Sequence, residues 1–170
     1  MTTPPLLGIA GFKNVGKTTL VERLVAELSG RGFRIATIKH AHHNLELDQP
    51  GRDSHRHRIA GAAEVAVVSA SRWAIIGELR GDPEPTLAEL VARLSPADLV
   101  IIEGFKREPF PKIEVRRTGM PHPALAADDP GIIAVASDGS TEPGLPHFPL
   151  DDIAAIADFA VVQLGLQMPA

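Results

Sequence analysis

Apolar and polar positions in the first forty residues follow two different periods. Leu6–Ala10 is a short apolar run that predicts a strand, and a loop with a glycine at each end follows it. From Lys17 onward the apolar residues recur at helical spacing, which predicts an amphipathic helix that ends near Gly30. Arg34–Lys39 predicts the next strand. This order predicts a βαβ unit with parallel strands.

The same alternation of strands and helices continues to the end of the chain. Thr86–Glu89 is a capping box that opens a helix, Asp98–Glu103 has the pattern of a buried strand, and Asp151-Asp152 opens a final helix. Further strands are predicted at Val65–Ser69, Trp73–Glu78, Lys112–Arg116 and Ile132–Ala136, and loops at Gly81–Pro85, Pro109–Pro111, Gly119–Gly131 and Pro143–Pro149. We therefore expect one α/β domain over residues 1–170: a mostly parallel sheet flanked by helices, with additional strands from the middle segment.

Composition narrows the class of protein. A chain of 170 residues that is 44% hydrophobic is long enough for a sizeable core. A net charge of -4 without long like-charge runs argues against binding to nucleic acid or to an anionic membrane. The absence of cysteine excludes disulfides and thiolate metal sites. Met1–Pro5 lacks the features of a secretory signal, and no apolar run approaches the ~20 residues that span a bilayer. We expect a cytoplasmic protein.

The loop after the first strand is a phosphate-binding motif, because Gly11–Thr18 matches G-x-x-x-x-G-K-[ST] in full. Glycines let successive backbone N–H groups point at an anion, and the following helix adds the positive end of its dipole. Lys17 would bridge the terminal phosphates, and Thr18 would place its hydroxyl on Mg²⁺. A chance match is disfavoured by the strand before the motif and the helix after it. The predicted nucleotide contacts are Gly11, Asn14, Val15, Gly16, Lys17, Thr18 and Thr19.

Acidic residues that could complete the magnesium site follow other elements. Glu103 ends an apolar strand, where ligands of parallel sheets bind, so we predict that it acts with Lys17 in catalysis and holds Mg²⁺ or the attacking water. The plain alternative is a surface glutamate at a strand end. Gly104 would allow close approach to the last phosphate. Asp53 follows Pro50-Gly51, and it is either a helix N-cap or a carboxylate that holds Mg²⁺ through water.

Histidines are concentrated in one segment, with five of the seven between His40 and His57 and basic residues among them. Two hypotheses account for this segment. Its imidazoles could hold a transition metal, as in a nucleotide-driven metal-insertion protein, or the segment could line a phosphate-bearing ligand. We favour ligand contact for Lys39, His40 and His43, which lie beside the predicted strand end. A solvated polar loop accounts for the other histidines.

Asp138 is the candidate for contact with the base, because it follows the strand predicted at Ile132–Ala136. A carboxylate there can accept hydrogen bonds from N1–H and the exocyclic amine of guanine, whereas adenine has no N1–H to offer. The alternative is an ordinary Asp-Gly turn. The nucleotide that this pattern favours is GTP, bound with Mg²⁺.

Several short segments together are more specific than the phosphate loop alone. The chain resembles the molybdopterin-guanine dinucleotide biosynthesis protein B (MobB) family from Leu6 to about Leu164. The segments that carry the resemblance are Ile38–His43, Asp48–Ser54, Ala60–Ala62, Ser71–Ala74, Glu103–Lys106 and Ala134–Asp138. The resemblance implies a P-loop NTPase-like fold and a GTP-binding homodimer with weak GTPase activity. It also implies an adaptor that works with the guanylyltransferase that attaches GMP to molybdopterin, and with molybdopterin itself.

Two other functions are consistent with the residues. A small-molecule P-loop kinase would need a lid with several arginines, for which Arg52, Arg56, Arg58 and Arg107 are candidates. A GTP-driven nickel or zinc insertion protein would use the histidine segment. Phosphate transfer to a small acceptor would indicate the kinase, and stoichiometric bound metal would indicate the insertion protein.

A dimer contact is predicted around the single tryptophan. Val65–Ser69 and Trp73–Ile76 are apolar and could form a sheet edge that pairs with a second chain. Tryptophan and arginine are enriched at interface anchors, so Arg72-Trp73 is the candidate. The alternative places Trp73 in the core of the monomer.

Overall fold

The computed structural model describes residues 3–41, 48–120, 122–139 and 144–169. The chain divides into two compact units: a main unit of residues 1–40 and 87–170, and an inserted unit of residues 41–86. The single domain over residues 1–170 stays a prediction. Within the described ranges, no helix is long and apolar enough to cross a membrane.

In the part of the chain that the structure describes, there are eight strands and four α-helices. The strands are β1 (Leu6–Ala10), β2 (Ile35–Lys39), β3 (Glu64–Val68), β4 (Trp73–Gly77), β5 (Leu99–Glu103), β6 (Lys112–Arg116), β7 (Ile132–Ser137) and β8 (His147–Pro149). The helices are α1 (Lys17–Gly30), α2 (Asp53–Ile59), α3 (Leu87–Arg93) and α4 (Ile153–Gln163), with a 3₁₀ turn at Leu125–Ala127.

The main unit is built on a six-stranded parallel sheet in the order β2-β5-β1-β6-β7-β8. Alternate residues of β5 enter two different cores, as the two faces of a pleated strand require. Leu99 and Ile101 pack with the buried faces of α1 and α4, whereas Val100 and Ile102 pack with α3. Strands covered on both faces are apolar at every position, which is why β5 reads as a continuous apolar run.

The described residues of the inserted unit form α2 and the antiparallel hairpin β3–β4. Among its described residues, Val65 is the only one that is buried. Its polar contacts centre on Arg58, whose guanidinium lies 3.1 Å from Asp48 and 2.5 Å from Glu78. Strands β3 and β4 are the additional strands expected from the middle segment.

The element predictions hold closely, with one error. Helix α4 begins as expected, because Asp152 caps it by accepting the N–H of Ala155 at 3.1 Å. The loop predicted at Pro143–Pro149 is wrong in part, because its last three residues form β8. Prolines at both ends of this segment hide an edge strand, where proline is tolerated because one side of the strand needs no hydrogen bonds.

Candidate functional site

The phosphate loop joins β1 to α1, and its backbone requires glycine. Gly11 has φ 146°, and a Cβ added there would lie 2.7 Å from the carbonyl oxygen of Val115. Gly16 is the N-cap of α1 in the left-handed conformation, and no side chain caps the helix. The first N–H groups of a 14-residue helix therefore face the loop, which is the arrangement that binds phosphate.

Lys17 lies in this loop with its ammonium against the backbone. Its Nζ donates to the carbonyl oxygen of Phe12 at 2.7 Å. Burial lowers the pKa of Lys17, the carboxylate of Glu103 opposes that shift, and the positive charges of Lys106 and Lys39 add to it. Mutual repulsion among three ammonium groups indicates a site whose charge is complementary to a polyphosphate.

Two oxygen-bearing side chains, one from α1 and one from the end of β5, meet beside the loop. The hydroxyl of Thr18 lies 3.1 Å from each carboxylate oxygen of Glu103. This pair is suited to Mg²⁺, which is bound in proteins by a few oxygen ligands and retained waters. Lys39, opposite Glu103 in the β2–β5 register, places its Nζ 3.6 Å from the same carboxylate.

The predicted contacts that the structure brings together surround one cavity. Its volume is about 380 Å³. The residues that line it are Lys13, Asn14, Gly16, Lys17, Thr18, Thr19 and Glu103. Val15 also belongs to the loop, but its side chain is buried, so its contact with a nucleotide would be through the backbone.

Gly104 and His40 are close together beyond the end of β5. A Cβ added at Gly104 would lie 2.5 Å from that of His40, and its φ is 117°. The backbone N–H of His40 donates to the carbonyl oxygen of Glu103 at 2.8 Å. The imidazole ring of His40 stacks on the ring of Phe105, with the centroids 4.7 Å apart. Glycine is thus required here for packing against His40. Approach of Gly104 to a phosphate stays a prediction.

Asp138 lies at the same edge of the sheet, after β7. Its Oδ1 accepts the N–H of Thr118 at 2.7 Å, and this hydrogen bond lowers the pKa of Asp138. Its Oδ2 lies 3.5 Å from Nη1 of Arg117, whose Nε donates to the carbonyl oxygen of Val15 at 3.3 Å. Arg117 therefore connects the phosphate loop to Asp138.

Comparison with known proteins decides the family. The model of the family "Molybdopterin guanine dinucleotide synthesis protein B" (MobB) matches residues 6–138. The chain belongs to the MobB family.

Its relatives within this family include proteins of known name and structure. It is 40% identical to the "Molybdopterin-guanine dinucleotide biosynthesis adapter protein" of Escherichia coli over 94% of this chain and 93% of that one. The protein of the same name from Haemophilus influenzae is 41% identical over 91% of this chain and 86% of its own length. The crystal structure of Bacillus subtilis MobB matches with a TM-score of 0.75 and 29% identity, covering 94% of this chain and 98% of that one.

Two predicted site residues remain, of which one lies in the inserted unit and the other outside the described residues. In this MobB-family chain, Asp53 is the first residue of α2 in the inserted unit, and Arg52 rather than Asp53 is the N-cap. A magnesium-binding role for Asp53 stays a prediction. His43 lies outside the described residues. Within the described part, no group of three His, Asp or Glu side chains could hold a metal ion.

Sequence reasoning assigned no site role to three residues near the loop. Arg117 was overlooked because no motif contains it, although its position directly after β6 places it at the edge where the phosphate loop lies. His122 stacks on Phe12 at 4.2 Å, and Lys106 lies 5.9 Å above the same ring. Phe12 occupies a position that the motif leaves free, so no sequence signal marked this stack.

Proposed function

We propose that this MobB-family protein is a GTP-binding adaptor in the biosynthesis of molybdopterin guanine dinucleotide. In this role it would hold GTP and Mg²⁺ in the phosphate loop while it acts with the guanylyltransferase that attaches GMP to molybdopterin. The observation that carries the proposal is the phosphate loop with the Thr18–Glu103 pair at its mouth. The names of the E. coli and H. influenzae relatives favour this role over a kinase or a metal-insertion protein.

Each part of the loop has a defined task in nucleotide binding. The backbone N–H groups of the loop and of the first turn of α1 bind phosphate oxygens. Lys17 exchanges the carbonyl of Phe12 for the terminal phosphates, and Lys39 adds positive charge beside Glu103. Thr18 and Glu103 would hold Mg²⁺, which would neutralise phosphate charge.

The weak GTPase activity in the proposal follows from the small number of carboxylates at the site. Among the described residues that line the cavity, Glu103 is the only acid. A carboxylate that coordinates Mg²⁺ is a poor acceptor for the proton of the attacking water, because the cation stabilises its charge. Glu103 could therefore coordinate Mg²⁺ or accept the proton of the attacking water, but each role would weaken the other. Hydrolysis would consequently be slow.

Asp138 would select guanine over adenine. Its Oδ1 already accepts the N–H of Thr118, which orients the carboxylate and favours its ionised form. Each carboxylate oxygen has a second acceptor site, so Asp138 keeps the capacity to accept N1–H and the exocyclic amine.

A homodimer through the hairpin β3–β4 completes the proposal. Trp73 is 63% exposed, and Val68 and Ile75 are also exposed. The alternative in which Trp73 fills the monomer core is therefore wrong. Clusters of exposed large apolar side chains mark interaction sites, and a twofold contact would use the same patch on both subunits. Since GTP is a cytoplasmic metabolite, we place the dimer in the cytoplasm.

A pull-down with the guanylyltransferase tests the proposal. We expect the transferase to co-purify with the wild-type protein, and the same sample to bind GTP more tightly than ATP in calorimetry. The Lys17→Ala protein serves as the matched control for dependence on nucleotide. Phosphate transfer to a small acceptor without transferase binding would support the kinase instead. Stoichiometric nickel or zinc retained through a desalting column would support the insertion protein.

A further inference from the structure

Arg117 is placed between the two parts of the proposed nucleotide site. Its Nε is fixed by the carbonyl oxygen of Val15 in the phosphate loop, at 3.3 Å. Its Nη1 lies 3.5 Å from Oδ2 of Asp138. Both side chains remain partly open to solvent, with 48% of the Arg117 side chain and 38% of the Asp138 side chain exposed. A charged donor and a charged acceptor thus stand side by side at a surface that a ligand can reach.

We propose that Arg117 is a guanine-specificity residue, which donates a hydrogen bond to O6 while the neighbouring Asp138 accepts N1–H and the exocyclic amine. This inference rests on the proposed GTP binding and assigns a further contact within that site.

The order of donors and acceptors supports this pairing. The Watson–Crick edge of guanine presents the amine donor, the N1–H donor and the O6 acceptor in a row. Its complement is two acceptors followed by a donor, which a carboxylate beside a guanidinium supplies. Adenine presents an acceptor at N1 and a donor at C6, so it would meet acceptor with acceptor and donor with donor. Arginine is also the side chain most often used to donate to guanine O6.

The tether to Val15 supports the placement of this contact. A guanidinium carries five N–H donors in a rigid plane, so a bond from Nε to the loop leaves the Nη groups for other acceptors. Because the tether is the phosphate loop itself, the donor is held at a fixed distance from the phosphates of the same nucleotide. A lysine would be held less firmly, since its ammonium is a point charge on a flexible stem.

Calorimetry with three nucleotides separates base recognition from a general structural role. The probes are GTP, ITP and ATP, because inosine keeps O6 and N1–H but lacks the amine. We expect Arg117→Ala to weaken GTP and ITP by the same factor, roughly tenfold or more for a hydrogen bond to a charged donor. Affinity for ATP should not fall, because adenine presents a donor and not an acceptor to Arg117. Asp138→Ala, in contrast, should weaken GTP more than ITP, because only GTP has the amine to lose.

Control variants keep the result interpretable. Arg93→Ala removes the same charge from an exposed position in the last turn of α3, and should leave all three affinities unchanged. Arg117→Lys should recover part of the loss for GTP and ITP. If thermal unfolding shows that Arg117→Ala is not folded, Arg117→Met is used in place of the alanine variant, because methionine keeps the aliphatic stem.

Two outcomes contradict different statements. Equal losses of affinity for GTP, ITP and ATP in Arg117→Ala would overturn the inference about Arg117 but not the proposed GTP binding. Arg117 would then only hold the loop or bind phosphate. A wild-type protein without preference for GTP over ATP would reject the proposed guanine binding, and the role of Arg117 with it.

Discussion

Strands of similar apolar composition have opposite surroundings in the two units. In the main unit, all four apolar residues of β5 are fully buried. In the inserted unit, Val68 is 80% exposed and Trp73 is 63% exposed. Helices α1 and α4 pack on one face of β5, and α3 packs on the other, whereas most of the hairpin β3–β4 is open. An apolar run therefore predicts a strand, but it does not say which molecule covers the strand.

This difference suggests that the two units have different functions. The phosphate loop, Glu103 and Asp138 all belong to the main unit, whose core is complete within its own residues. Among the described residues, most of the exposed large apolar side chains belong to the inserted unit, and the exceptions in the main unit are Val162 and Met168. We expect changes in the main unit to alter nucleotide binding or folding, and changes in the hairpin to alter association. Four substitutions test that expectation.

Removal of the loop lysine should have the largest effect. Lys17→Ala should weaken GTP binding more than about a hundredfold, because a charge-assisted contact to phosphate is lost from a site with few alternatives. Calorimetry gives the affinity, and circular dichroism should show an unchanged fold because Lys17 contacts its own loop. Wild-type affinity in this variant would reject the phosphate-loop assignment. Arg93→Ala, which removes a positive charge from an exposed position on α3 outside the cavity lining, is the control.

Asp129→Asn should lower the free energy of unfolding by about 3 kcal/mol, because it leaves a buried ammonium without its counter-charge. Lys112 is 2% exposed, and its Nζ lies 2.9 Å from Asp129. Urea unfolding measures the change, and Asp128→Asn on the exposed neighbour is the control. A loss below about 0.5 kcal/mol, typical of a surface substitution, would contradict the prediction.

The same pair gives a pH dependence with a definite sign. Burial would raise the pKa of Asp129, but hydrogen bonds from Lys112 and from the N–H of Gly131 outweigh it and lower the pKa. A folded-state pKa below the ordinary value of 3.8 means that the stabilisation is complete above that value and is lost as the pH falls through the folded pKa. As the pH falls below 3.8, the free energy of unfolding of Asp129→Asn should therefore decrease less than that of the wild type.

Trp73→Glu should break the association that we propose for the hairpin. Hot-spot residues at interfaces contribute about 2 kcal/mol or more, which corresponds to at least a thirtyfold weaker dimer. Light scattering should give a monomer at micromolar concentration, with GTP affinity unchanged. An unfolded variant would contradict the exposure of Trp73, and a wild-type protein that is already monomeric would remove the dimer proposal. Leu79→Glu, an exposed apolar residue beyond β4, tests how far the contact extends.

Asp138→Asn should have the smallest effect, a reduction of about tenfold in the preference for GTP over ATP. The amide keeps one acceptor oxygen, but its nitrogen faces a guanine donor. Competition of ATP against a fluorescent GTP analogue measures the ratio. Unchanged preference would mean that Asp138 only orients Thr118 and Arg117.

Most elements could be predicted because each carried its own local pattern. The apolar run of β5 and the glycine-bounded loop before α1 depend on residues that are neighbours in sequence. Arg117 could not be predicted in this way, since its relation to Val15 and Asp138 exists only after three strands are placed side by side. The strand β8 could not be predicted because its three residues, the last of which is a proline, are too few to show a period.

The strand order has a consequence for how the chain folds. Strand β5 lies between β2 and β1, and its Val100 pairs with Leu6, so the first two strands cannot complete their pairing until the chain has been synthesised past β5. The hairpin pairs residues that are close in sequence, such as Val68 with Trp73, and local contacts form faster than distant ones. During synthesis the apolar hairpin should therefore form first. The sheet that carries the phosphate loop should close only afterwards.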